Sequence, residues 1–195
     1  MPGPAPRAVL ASANPHKLRE LRSALPGWDL SLLDRDDFPP EIGASYLENA
    51  RVKARFGRRH APEGALVIGE DSGIEAVALE GGPGVASARW AADGVTQLLD
   101  ALAGATDRGA RYVCVLVAVA PDGREVTASG TLEGSVADGP PRGSGGFGYD
   151  PIFVPAGEGR TVAELGDAWK SGHSHRARAA AALAEELRRA GLGAA

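Results

Sequence analysis

Three lysines stand out. Of the 21 Lys and Arg residues in this 195-residue sequence, only Lys17, Lys53 and Lys170 are lysines. In a chain rich in Ala, Gly, Pro and Arg, each marks a place where a compact point charge can serve and a broad planar guanidinium cannot, with chance as the alternative. Lys17 closes the run Ser12-Ala13-Asn14-Pro15-His16-Lys17. Its hydroxyl, amide and ammonium groups suit phosphate oxygens, and anions favour helix N-termini; a polar turn with Asn14 as N-cap is the other reading. It is not a Walker loop, because GxxxxGK[ST] is absent. Lys53 sits between two acidic stretches, Glu41 and Glu70-Asp71-Ser72-Gly73. Two carboxylates after an apolar run cost free energy unless water or a cation meets them. A hard cation such as Mg²⁺ takes one or two carboxylates plus substrate phosphates. Asp71 can also orient or deprotonate a water, Glu41 can supply a second metal carboxylate, and a surface turn is the competing reading.

Lys170 opens Lys170-Ser171-Gly172-His173-Ser174-His175-Arg176. With Ser174 as N-cap, His175 and Arg176 fall in the first turn of a helix, where cations oppose the helix dipole. That placement makes sense if an anion or polar ligand occupies the same spot. Zinc bound by His173 and His175 lacks further Cys or His ligands. The remaining stretch is Gly145-Gly146-Phe147-Gly148-Tyr149-Asp150. Phe147 can stack on a flat ring, Gly148 allows close backbone approach, and Asp150 can accept from a base or sugar or hold the loop. A hairpin corner with core aromatics is the alternative. Together these groups suit a phosphorylated, ring-bearing substrate with Mg²⁺.

Composition narrows the class. A chain of 195 residues suits one domain, 1–195, with room for two lobes. Hydrophobic residues at 44% and charged residues at 24% are ordinary for a soluble globular protein. One cysteine rules out an internal disulfide and fits a cytoplasmic address. No long apolar run marks a signal peptide or a membrane span in the first 17 residues. A net charge of −4 argues against nonspecific nucleic-acid binding and requires any phosphate site to be built locally.

The elements that must position these groups follow from patterning. Arg7 to Ser12 reads as a buried strand, and a helix begins near Lys17 with Leu18, Leu21 and Leu25 on one face. Trp28 to Asp34 reads as a second strand. Ser45 and Glu48 match a capping box opening a helix to about His60, and that role accounts for Glu48. Ala65 to Gly69 reads as a strand ending in Glu70-Asp71-Ser72-Gly73, followed by a Gly-rich loop. Val95, Leu98, Leu99 and Leu102 have helical spacing, and Arg111 to Val119 is the strongest strand signal. A turn at Pro121-Asp122-Gly123 predicts a hairpin back to about Ser135. Thr161 and Glu164 match a second capping box, for a helix ending near Lys170, and Leu183 and Leu187 line a last helix ending at Gly191. The order implies an α/β fold with a mixed central sheet and flanking helices.

These residues together resemble the inosine/xanthosine triphosphate pyrophosphatase family. The matching pieces are SANPHK (12–17), EIG (41–43), ENARVKA (48–54), EDSGI (70–74), GGPGVASAR (81–89), GGFGYDPIF (145–153) and KSGHSHRARA (170–179), in family order along nearly the whole chain. The resemblance implies two lobes around an active-site cleft, a homodimer, Mg²⁺, and hydrolysis of ITP, dITP and XTP to monophosphate and pyrophosphate by a Mg²⁺-activated water. It implies that Ser12, Ala13, Asn14, Pro15, His16 and Lys17 hold the triphosphate. It makes Asp71 and Lys53 catalytic, Asp71 and Glu41 metal-binding, and Ser72, Phe147, Gly148, Tyr149, Asp150, Lys170, His175 and Arg176 substrate-binding. The sequence departs from the family in having Ala13 where Gly is common, Pro40 where some relatives carry an acid, and a short segment from Arg89 to Arg111. Two rival classes remain: a Maf-like pyrophosphatase for modified pyrimidine or methylated nucleotides, and a non-catalytic nucleotide sensor.

Overall fold

The computed structural model describes residues 5–193. Short apolar runs near the N-terminus form β1 (Arg7–Leu10) and β2 (Asp29–Leu32), joined by α1 (Pro15–Ala24). β1 pairs in parallel with both β2 and β3 (Leu66–Ala76), as a strand–helix–strand unit requires. α2 (Tyr46–His60) runs between β2 and β3. After α3 (Gly94–Ala101), β4 (Gly109–Val119) turns at Pro121-Asp122-Gly123 into β5 (Glu125–Val136), the turn closed by Gly123 N–H donating to Ala120 O at 2.9 Å. β6 (Phe153–Pro155) pairs antiparallel with β5. The six strands run in the order β2-β1-β3-β4-β5-β6, a mixed sheet in an α/β fold, as the order of elements predicts. α4 (Val162–His173) and α5 (His175–Arg189) complete the chain.

Most elements lie where patterning puts them, with informative exceptions. α1 starts at Pro15 rather than Lys17, because the Asn14 side chain caps it and proline is suited to the first helical position. α4 runs on to His173, three residues past Lys170, with a non-helical kink at Gly166. The largest correction concerns β3. The strand does not end at Glu70-Asp71-Ser72-Gly73 but passes straight through it to Ala76. Alternating side chains put Glu70 and Asp71 on opposite faces, and each meets cations there, so the strand carries both charges without breaking. The second capping box forms as expected, Thr161 and Glu164 exchanging bonds. The first is shifted: Ser45 accepts from Glu48 N–H, but the Glu48 carboxylate reaches Ala44 N–H at 2.7 Å instead of the cap residue.

The chain folds into two compact units. Among the described residues, one contains 5–71, Cys114–Gly130 and 176–193; the other contains Ser72–Val113 and Thr131–His175. In the first, Leu10, Leu21, Leu30, Ile68, Leu116, Leu183 and Leu187 are wholly or almost wholly buried in one cluster. α2 sits tight against β3: a Cβ on Gly69 would lie 2.0 Å from the Ala50 carbonyl oxygen, so only glycine permits the approach. The second unit has its own core of Ile74, Leu98, Leu102, Tyr112, Phe153 and others. Among the described residues, no helix is long and apolar enough to cross a membrane.

Candidate active site

α2 places two polar side chains on its buried face. Tyr46, Asn49, Ala50, Lys53, Ala54 and Gly57 recur at helical spacing and all are buried. Asn49 and Lys53 therefore point where apolar residues are expected. Both meet Asp71: Asn49 Nδ2 donates to Asp71 Oδ2 at 3.0 Å, and Lys53 Nζ donates to Asp71 Oδ1 at 3.2 Å. Lys53 Nζ also donates to Glu41 Oε1 at 2.6 Å. The structure thus brings together Lys53, Asp71 and Glu41, the three groups assigned to catalysis and metal binding. Burial pushes the Asp71 carboxyl up, against the opposing pull of Lys53 and the Asn49 hydrogen bond. Burial works to lower the Lys53 ammonium, but Glu70, Asp71 and Glu41 outweigh it and raise it. Burial likewise disfavours the Glu41 carboxylate, and Lys53 overrides that and holds it low.

Glu70 anchors a second set of charges in the same unit. It is fully buried, with Lys17 Nζ 2.6 Å from one carboxylate oxygen and Arg176 Nη2 2.9 Å from the other. Arg176, itself 2% exposed, also pairs with Glu20. The anion that the helix-start arginine meets is therefore a protein carboxylate. Burial alone would raise Glu70, but Lys17, Arg176 and Lys53 hold it well below the usual carboxylate range. The buried thiol of Cys114 lies 3.6 Å from Glu70 and is pushed well up by burial and that charge.

The first loop builds itself into the start of α1. Asn14 N–H donates to Ser12 Oγ at 3.1 Å, and Asn14 Oδ1 accepts from His16 N–H at 2.9 Å and Lys17 N–H at 3.4 Å. Asn14 is thus an N-cap, as one of the two readings holds, and two of the helix's first N–H groups are satisfied by it. Ala13, Pro15 and His16 are exposed, with His16 Nδ1 2.5 Å from the Arg19 guanidinium.

In the second unit Asp150 organises the glycine-aromatic loop. It accepts from Phe147 N–H at 2.9 Å, Lys170 Nζ at 2.7 Å and Tyr112 Oη at 3.2 Å. Gly146, at φ 73°, leaves room for it: a Cβ there would lie 2.0 Å from Asp150 Oδ2. Gly148, at φ 61°, has no heavy atom within 4 Å of its Cβ position, so its backbone conformation alone requires glycine. Lys170 Nζ stands 5.0 Å from the centroid of the half-buried Phe147 ring, within cation–π range. Tyr149 turns inward instead: its ring is buried in the core and its hydroxyl donates to Ser87 O at 2.9 Å. Core packing accounts for it. His175 is buried with its ring stacked on Tyr112, centroids 4.6 Å apart. Ser72 is half-buried in β3.

Residue types do not mark Asn49, Glu20 or Tyr112 as partners. A polar residue recurring on an otherwise apolar helical stripe was the available signal for Asn49. Among the described residues no three His, Cys, Asp or Glu gather as a metal cluster. A magnesium ion that keeps waters and substrate oxygens needs only one or two carboxylates. Glu41 and Asp71, which already share the Lys53 cation, fit that requirement.

The sequence matches the Ham1 family over residues 8–186. It is 48% identical to a dITP/XTP pyrophosphatase of Symbiobacterium thermophilum over 190 residues, covering 93% of this chain and 94% of that protein. The fold is similar to a HAM1 protein from Coxiella burnetii, with a TM-score of 0.79 at 33% identity, covering 94% of this chain and 98% of that one. It is also similar to a nucleoside-triphosphatase / dITP/XTP pyrophosphatase from Mycobacterium abscessus, with a TM-score of 0.70 at 43% identity, covering 91% of this chain and 98% of that one. With a match that takes in both clusters of charged side chains, the chain belongs to the Ham1 family.

Proposed function

We propose that this protein hydrolyses the noncanonical purine nucleoside triphosphates ITP, dITP and XTP to the monophosphate and pyrophosphate. The observation that carries the proposal is the buried Asp71 carboxylate, fixed by Asn49 and Lys53 and flanked by Glu41, in a chain of this family. A carboxyl whose pKa is raised by burial is suited to taking a proton from an attacking water. Lys53 and Lys17, together with Ser12, Asn14 and their loop, neutralise and position the triphosphate. Mg²⁺ is the metal this donor set suits best, held by Asp71 and Glu41; when bound it neutralises phosphate charge and lowers the pKa of water.

The base is read in the loop built on Asp150. A purine stacked on Phe147 meets the Lys170 ammonium, which can donate to a 6-oxygen. Adenine would present its 6-amino group there, donor against donor, and leave the buried lysine unpaired on that side. Ser72, His175 and Arg176 supply further substrate contacts in this reading. A homodimer follows from the family resemblance, and the single cysteine fits a cytoplasmic address, with no nucleic-acid or membrane partner.

The products test the reaction class. ITP incubated with the protein and Mg²⁺ should give IMP and pyrophosphate in equal amounts, resolved by ion-exchange chromatography. IDP and orthophosphate would place cleavage at the wrong anhydride and overturn the proposal.

A further inference from the structure

We propose that Asn49 is a positioning residue that locks the Asp71 carboxylate and the Glu41 loop into one geometry. The inference rests on the pyrophosphatase reading above for the meaning of that geometry, but the geometry stands by itself. Asn49 is 3% exposed. Its side chain makes two bonds at its two ends: Nδ2 donates to Asp71 Oδ2 at 3.0 Å, and Oδ1 accepts from Gly43 N–H at 2.8 Å. A backbone N–H is a donor and a carboxylate is an acceptor, so only one orientation of one amide satisfies both. Aspartate would set oxygen against oxygen at Asp71, and leucine would satisfy neither partner.

The loop is shaped to receive this amide. A Cβ on Gly43 would lie 2.6 Å from Asn49 Oδ1 and 2.9 Å from Glu48 Cβ, so the Gly43 backbone reaches Asn49 only because it lacks a side chain. Two residues earlier, Glu41 lands 2.6 Å from Lys53 Nζ. The contacts close into a ring: Asp71 to Asn49, Asn49 to Gly43, along the loop to Glu41, then through Lys53 back to Asp71. Asn49 holds Asp71 Oδ2, leaving Oδ1 on the Lys53 side, and sets how far Glu41 stands from it. Ring members polarise and orient each other, so loss of one loosens the rest.

Two substitutions approach the ring from opposite sides. Asn49→Ala removes the amide, and Gly43→Ala pushes it away from the loop. Both are compared with the wild type by manganese binding in the presence of a non-hydrolysable α,β-imido analogue of ITP, followed by electron paramagnetic resonance. Pyrophosphate release from ITP and thermal melting are measured alongside. Each variant is expected to lose about 10- to 100-fold in Mn²⁺ affinity and in kcat, the usual effect of removing a group that orients a metal-binding carboxylate. The loss in kcat should exceed any rise in KM for ITP, because Ser12, Asn14 and the base loop are untouched. Mn²⁺ affinity within threefold of wild type in both variants would overturn the inference, whatever happens to melting, since a merely structural role lowers stability without changing the site. If the wild type binds Mn²⁺ but releases no pyrophosphate, the pyrophosphatase reading fails while the binding comparison still decides Asn49. A wild type that binds no Mn²⁺ would overturn both.

Discussion

Asp71→Asn is expected to release pyrophosphate from ITP about a thousandfold more slowly than the wild type, in the range for loss of a general base. Its melting temperature should stay within about 4 °C of wild type, roughly 1 kcal/mol for a chain of this size. The combination follows from the surroundings of the carboxylate. Burial raises its pKa, so holding it ionised at neutral pH disfavours the folded state, and a neutral amide removes that term. Against this, two donors, Asn49 Nδ2 and Lys53 Nζ, converge on Asp71, and an amide can accept from only one without turning its own N–H groups toward the other. The two effects oppose each other in stability, while the substitution leaves no carboxylate to take a proton from water or to hold a metal. Turnover within tenfold of wild type, measured at saturating ITP and Mg²⁺, would contradict the assignment.

Arg176→Met should cost the fold about 3–5 kcal/mol, measured by urea denaturation at pH 7. Glu70 is fully buried, and its carboxylate would lose the Arg176 bonds at 2.9 and 3.2 Å while keeping Lys17 and the Cys114 thiol contact. Glu20 would lose the same guanidinium. A loss under 1 kcal/mol would show that Lys17 and solvent suffice. The effect also has a pH signature. Although burial alone would raise it, the Glu70 pKa is held well below its ordinary value by Lys17, Arg176 and Lys53. Its stabilising contribution is complete above the ordinary glutamate value, about 4.3, and is lost as pH falls through the folded value. The gap between wild type and Arg176→Met should therefore narrow in acid, because a protonated Glu70 no longer needs the guanidinium.

Local rules were legible in the sequence. The Thr161–Glu164 capping box, the hairpin turn at Pro121-Asp122-Gly123 and the Leu183–Leu187 face all depend on residues within one or two turns of each other. The three lysines, marked by rarity alone, each end on a carboxylate: Lys17 on Glu70, Lys53 on Glu41 and Asp71, Lys170 on Asp150. What local rules could not show was the identity of long-range partners. Arg176 in α5 meets Glu70 in β3, 106 residues away, and nothing in either stretch names the other. The same blindness made Glu70-Asp71 read as a strand end, because a strand carries two buried charges only if cations from distant elements meet both faces. Tyr149, which the resemblance puts among the substrate-binding residues, has a buried ring whose hydroxyl donates to Ser87 O, a partner 62 residues away that no local rule names.

The central claim is the choice of substrate, and kcat/KM for pyrophosphate release with Mg²⁺ across ITP, dITP, XTP, ATP, GTP, dTTP and 7-methyl-GTP tests it most directly. The account predicts that the first three are cleaved faster than the rest, and faster than ATP by about a hundredfold or more, the discrimination available when the wrong base leaves buried polar groups unpaired. Comparable rates for ATP and ITP, preferential cleavage of dTTP or 7-methyl-GTP, or tight binding of every nucleotide without release would contradict it.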